Sequence, residues 1–195
     1  MIMNAVMMLI NSAAAVVCES AVPARFTSLD QDQEMYRSVV EMGEFSTTNL
    51  VLTSRIENVP ADVYFWGLLF VSDEPFYDFG PSGVTGTYRS LPEYKVTVKI
   101  AGLDGQDVAA FEFSGAEVEY RDSSFRGRPN RRFQELPGQY QNIALLRGND
   151  QARLRIAASD NLCFSSSMEI SGPIPNGIRV FLIGFAPGWK LGTID

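Results

Sequence analysis

The sequence predicts a mainly β protein, a small antiparallel β-barrel or sandwich preceded by an N-terminal helical arm. Three observations lead there. From residue 46 onward the chain is made of short runs rich in β-branched and aromatic residues, each closed by Gly, Pro or Asn, the punctuation of strands and turns. Within it, EYKVTVKI at residues 93–100 alternates Tyr94, Val96, Val98 and Ile100 with polar neighbours, the pattern of a half-buried antiparallel strand. Finally, 195 residues with 46% hydrophobic side chains suffice for one sizeable core, so one domain with extensions is expected.

Residues 1–17, MIMNAVMMLINSAAAVV, form a short apolar stretch, and Val22-Pro23-Ala24 after it has the small-residue spacing of a cleavage site. Two readings stand: a secretory signal over residues 1–24, or an apolar helix with Ile2, Val6, Leu9 and Ile10 near helical spacing that packs on the body or on a neighbouring subunit. No Lys or Arg precedes the run, and Asn4 and Asn11 interrupt it, which favours the helix. The run is too short and too broken for a membrane span. A short helix is expected over residues 28–44, entered through a Ser28 cap, with Met35, Val39, Val40 and Met42 behind it. Residues 1–45 are thereby set apart from a single β domain at residues 46–195.

Strands are expected at residues 48–58 and 61–73, with Pro60 near the turn between them. Residues 74–92, with three prolines and Gly80, Gly83 and Gly86, read as a long loop. A turn from Gly102 to Gly105 joins the strand at 93–100 to one at 108–121, a hairpin. Further strands are expected at 142–146, 152–157, 167–170 and 178–183.

The composition excludes several function classes. A formal net charge of −7 argues against a general nucleic-acid binder, because neutralising phosphates needs a basic surface. The sequence contains no histidine, which removes the usual general base near neutral pH and the commonest metal ligand. Ser-His-Asp, Cys-His and His-metal sites therefore cannot form. Cys18 and Cys163 are too far apart for a CxxC redox or zinc motif. They are two thiols or one long-range disulfide, and in a cytoplasmic chain the thiols are favoured.

Asp30, Asp32 and Glu34 alternate as in a calcium loop, but Met35 stands where the sharp turn needs glycine, so a solvated first helical turn fits better. Glu117 and Glu119 share one face of a strand, which alone does not make the facing carboxyls of a glycosidase. Gly80, Gly83 and Gly86 lack the following Lys-Ser or Lys-Thr of a phosphate-binding loop. Trp66, beside Tyr64 and Phe65, is either a sugar-stacking platform or, preferably, a core aromatic on a strand. No catalytic residue, cofactor or metal site is expected. The feature that stands out is Arg121, Arg126, Arg128, Arg131 and Arg132, five arginines in an acidic chain, flanked by Phe125 and Phe133. They suit phosphate or an acidic partner. The preferred reading is an inter-subunit contact in which this loop meets an acidic surface on another copy of the chain.

Residues 94–148 resemble the tail tube proteins of contractile phages and the inner tubes of related injection systems. A hairpin strand leads into Phe111-Glu112-Phe113-Ser114-Gly115, and Glu117 to Arg121 is similar to the family's E-x-E-Y-R strand. Leu136-Pro137-Gly138, then Asn142-Ile143 through Leu145 to Arg147-Gly148, resemble its LPG…N-I-x-L-x-R-G signature. Phe185-Ala186-Pro187 and Trp189 through Gly192 are similar to its late turn. The resemblance implies a β-barrel or sandwich that closes sheets with its neighbours into six-fold rings, stacked into a hollow tube that passes DNA or protein cargo. The expected function is thus a structural, self-assembling virion protein without enzymatic activity. Its partners are itself and other virion proteins, DNA is only transient cargo, and it assembles in the host cytoplasm. Two alternatives remain: an exported ligand-binding β-sandwich, with Trp66 or Tyr88 as sugar contacts and a Cys18–Cys163 bridge, and a jelly-roll capsid protein.

Overall fold

The structure, a computed structural model, describes residues 18, 21–28, 36–74, 77–79, 86–88, 91–115, 118–121, 140–146, 153–158 and 160–187. Strands follow in chain order: β1 (Val22–Pro23), β2 (Arg25–Ser28), β3 (Tyr36–Phe45), β4 (Val51–Ile56), β5 (Asp62–Ser72), β6 (Tyr77–Phe79) and β7 (Gly86–Tyr88). Then come β8 (Tyr94–Gly102), β9 (Asp107–Ser114), β10 (Val118–Arg121), β11 (Tyr140–Leu146), β12 (Arg153–Ile156), β13 (Leu162–Ile170) and β14 (Ile178–Pro187). A five-stranded sheet runs β1-β4-β13-β8-β9, and a seven-stranded sheet runs β10-β11-β5-β14-β3-β2, with β12 also paired to β5. β11 lies along residues 67–72 of β5 and β12 along residues 62–65, on the edge that β14 leaves free. Neither sheet closes on itself among the described residues, so of the two expected architectures the chain adopts the sandwich-like one. Among those residues no helix is long and apolar enough to cross a membrane.

The core between the sheets follows from strand parity. In β5 the even positions Tyr64, Trp66, Leu68 and Phe70 face inward, and β14 contributes Ile178, Val180, Leu182 and Ala186. Opposite them stand Val96, Val98 and Ile100 of β8, Phe111 and Phe113 of β9, and Leu162, Phe164 and Met168 of β13. Each large apolar side chain so buried contributes about 1.5–3 kcal/mol. Trp66 anchors the layer: its ring centroid lies 4.6 Å from that of Phe164. Its cross-strand partner is Gly184, where an added Cβ would fall 2.4 Å from a Trp66 ring carbon, so only glycine leaves room for the indole.

The connection from β3 to β4 carries the chain from one sheet to the other through a tight turn, with Ser46 and Asn49 exchanging backbone hydrogen bonds of 2.9 and 3.0 Å. Just before it, β3 bulges: Leu182 pairs with Gly43 and Ile183 with Glu41, leaving Met42 extra. The bulge lets Val40, Met42 and Phe45 all reach the core despite their uneven spacing, and Gly43 accepts the positive φ of 141° that it requires. The carbonyl of Met42 receives a hydrogen bond from the buried Ser54 hydroxyl of β4, which ties the two sheets at this corner.

Several expectations are corrected. Of the helix expected over residues 28–44, Ser28 ends strand β2 and residues 36–44 are strand β3, which pairs with β2, while residues 29–35 lie outside the described residues. Val39 and Val40 imitate a helical stripe because this strand is buried on both faces, one valine in each of two hydrophobic clusters. The boundary at residues 45/46 falls at the β3–β4 corner, with β3 a member of the seven-stranded sheet. The N-terminal apolar helix of residues 1–17 lies outside the described residues. Residues 74–92 are not all loop, since β6 and β7 pair within them. The strand expected at 108–121 is two strands in different sheets, β9 and β10. β13 and β14 also extend beyond their expected limits, β13 because Ser165, Ser166 and Ser167 conceal its alternation of buried and open positions.

Candidate functional site

The sandwich has two unlike sides. On one, the β3–β4 corner joins the sheets. On the other, β9 ends the five-stranded order and β10 ends the seven-stranded order. Only residues 115–117 connect them, a span of at most about 14 Å, so the two terminal strands lie on the same side of the molecule. The chain changes sheets at Gly115, whose N–H donates to the Tyr94 carbonyl at 3.2 Å. A Cβ there would approach the Tyr94 ring to 2.9 Å, so the corner needs glycine.

β9 is eight residues long and pairs with β8 along its inner edge. Phe111 and Phe113 point into the core, while Val108 and Ala110 are exposed; Val108 retains 49% of its accessible surface. Glu112, also exposed, pairs with Lys95 of β8 at 2.8 Å and accepts a hydrogen bond from the Thr97 hydroxyl at 3.4 Å. At the β8–β9 turn a shallow cleft of about 470 Å³ is lined by Asp104, Asp107, Asp160 and Leu162, among others. Two of those carboxylates are engaged locally: Asp104 accepts the Gln106 N–H at 3.0 Å and Asp160 accepts the Ala157 N–H at 2.8 Å. The cleft is an acidic end of the sandwich.

Of the arginine segment only Arg121 is described, and it lies on β10. Arg121 is the last residue of β10, in register with Ile143 of β11, and β11 starts at Tyr140 opposite Ser72. Arg126, Arg128, Arg131 and Arg132 follow in the connection between these strands and lie outside the described residues. The described residues that flank it, Arg121 and Tyr140, lie toward the Ser72 end of β5, whereas the acidic cleft adjoins Leu162, which pairs with Ile56 shortly before β5 begins. Arg121 and the acidic cleft thus sit toward opposite ends of the sandwich.

The other sequence candidates resolve differently. Trp66 is 1% exposed between the sheets, so it is a core aromatic and not a contact platform. Its Nε1 has no hydrogen-bond partner among the described residues. Of Tyr88 and Glu119 only the strand position is described, and Asp30, Asp32, Glu34 and Glu117 lie outside. Among the described residues no cluster of three metal-ligating side chains occurs. Sequence reading missed the change of sheet at Gly115, signalled only by that glycine; the approach of Cys18 to Cys163, described below, was one of two readings it left open.

No family model matches this chain, and no curated protein sequence does. Among solved structures, it aligns with the insecticidal delta-endotoxin Cry8Ea1 from Bacillus thuringiensis at a TM-score of 0.28 and 15% identity, over 74% of this chain and 18% of that one. A beta-glucosidase from Paenibacillus barengoltzii aligns at a TM-score of 0.26 and 9% identity, over 75% and 10%. The chain thus spans less than a fifth of either protein, and at such TM-scores the alignments define neither a shared fold nor a shared function.

Proposed function

We propose that this protein is a structural, self-assembling subunit that joins copies of itself through the open side of its sandwich, in rings or tubes of the tail-tube type. The observation that carries this reading is the pair of terminal strands, β9 and β10, brought to one side of the molecule, since a sheet edge is a ready template for a strand from another chain. The stretch that resembles tail tube proteins, residues 94–148, begins with β8 and includes β9, β10 and β11, and so contains that whole side. Arg121, Arg126, Arg128, Arg131 and Arg132 serve as the inter-subunit contact, meeting an acidic surface such as the Asp104, Asp107 and Asp160 end of the next copy. By the same resemblance the assembly belongs to a virion and passes DNA or protein cargo through its lumen.

Sedimentation velocity on three proteins tests this. The parent chain is expected to form large species. Val108→Lys with Ala110→Lys, which places charge on β9, and Arg128→Glu with Arg131→Glu and Arg132→Glu are each expected to leave a folded monomer. Unchanged assembly in the first variant would remove the edge from the interface, and in the second the arginine contact.

A further inference from the structure

Cys18 and Cys163 are 145 positions apart in sequence, yet the fold brings them together. Cys163 lies on β13 between the inward-facing Leu162 and Phe164, so its side chain is on the outer face of the five-stranded sheet. Its register partners there are Arg55 of β4 and Ala101 of β8. The N-terminal segment reaches the same place from the other direction: Pro23 of β1 pairs with Arg55, and the Ala24 N–H donates to the Arg55 carbonyl at 2.8 Å. A turn then folds the chain back, with the Ala21 N–H donating to the Cys18 carbonyl at 3.1 Å. Cys18 is buried at 2% exposure, and it lies close enough to Cys163 to push that thiol's pKa up. Both cysteines carry free thiols in this structure.

We propose that Cys18 and Cys163 form an intramolecular disulfide under oxidising conditions, a covalent clasp that fastens the segment ahead of β1 to the outer face of the five-stranded sheet. The non-covalent hold is slight, since β1 is two residues long. The oxidant is a small-molecule disulfide such as oxidised glutathione. One cysteine, as thiolate, attacks a glutathione sulfur and releases one glutathione thiolate, leaving a mixed disulfide. The second cysteine gives its proton to solvent and attacks the protein sulfur of that mixed disulfide, and the second glutathione leaves. Two protein thiols are thereby oxidised to one disulfide and one oxidised glutathione is reduced to two thiols. Burial, together with the neighbouring Cys18, pushes the Cys163 thiol up to about 12, so its thiolate is scarce near neutral pH. Oxidation accordingly quickens as pH rises from 7 to 9. The clasp is independent of the assembly reading and holds for a monomer as for a ring.

The test incubates the intact, folded chain with oxidised glutathione at pH 7 and pH 9, quenches with an alkylating reagent, and reads mass and non-reduced peptides. The expected product is a monomer lighter by two hydrogens, with the Cys18 and Cys163 peptides linked, formed faster at pH 9. It should melt on the order of 10 °C higher than the reduced chain, given the long loop that is closed. Cys163→Ala should abolish the two-hydrogen loss. Stable glutathione adducts, a disulfide-linked dimer as main product, or two thiols still free after prolonged oxidation would each overturn the proposal.

Discussion

The two sheets solve burial in different ways. In the five-stranded sheet one face is dry and the other wet: along β8, Val96, Val98 and Ile100 are buried while Lys95 and Lys99 are exposed. In the seven-stranded sheet consecutive residues are buried together, as Leu68 and Leu69 of β5 both are, at 0% exposure. Its second face holds a separate cluster of Val39, Leu69, Val71, Ile143, Phe181, Ile183 and Phe185. Around that cluster the aromatic rings meet charged groups. Arg153 lies 5.4 Å over Phe65, which stacks on Phe185, and Arg179 lies 4.9 Å over Phe181 while donating two hydrogen bonds to Glu44. One sheet is thus the wet wall of the sandwich, and the other is a central layer with apolar contacts on both sides.

That contrast can be broken by mutation. The largest effect is expected at the shared core: Trp66→Ala should cost about 3–5 kcal/mol in denaturant unfolding, because the cavity it leaves lies between both sheets. The sharpest comparison is between nominal outer faces. Leu69→Ala in the seven-stranded sheet should lose about 2–5 kcal/mol, against within about 0.5 kcal/mol for Lys99→Ala in the five-stranded sheet. Equal losses would erase the distinction between a wet wall and a central layer.

Smaller effects probe how the sheets are joined. Gly184→Ala should cost about 1–3 kcal/mol, since the new methyl group collides with the Trp66 ring. Ser54→Ala should cost about 1–3 kcal/mol by leaving the Met42 carbonyl buried without its donor at the bulge. The smallest belongs to the margin: Arg179→Ala should lose at most about 1 kcal/mol, less at high salt, because the Glu44 pair is nearly half exposed. Urea titrations at two salt concentrations distinguish these cases.

The same contrast explains what was legible in the sequence. β8 alternates, so its strand was plain, and its hairpin with β9 followed from the Gly102–Gly105 turn. β5 was recognised from its β-branched and aromatic content, but neither its place at the centre of a sheet nor its double burial can be read from an unbroken apolar run. β3 was mistaken for a helix for that reason: adjacent valines serving two faces look like one broad stripe. The core role of Trp66 was favoured by its strand context, whereas the requirement for Gly184 depends on a cross-strand pairing that no local pattern encodes. Of the proposed assembly side, Arg121 to Arg132 were visible as charge, and the placing of β9 and β10 on one side was not, because it depends on where the chain changes sheets. A Cys18–Cys163 bridge was one of two open readings, and what the sequence could not supply is the placement: β1 and β13 both pair with Arg55 of β4.

The proposed contact between copies lies on the β9–β10 side, where two terminal strands of different sheets are brought close by a short connection. Negative-stain electron microscopy of the purified full chain, with its mass in solution measured on the same sample, tests this most directly. Self-assembly through that side requires rings or stacked tubes and a mass many times that of one chain. A uniform monomer at every concentration tried would contradict it.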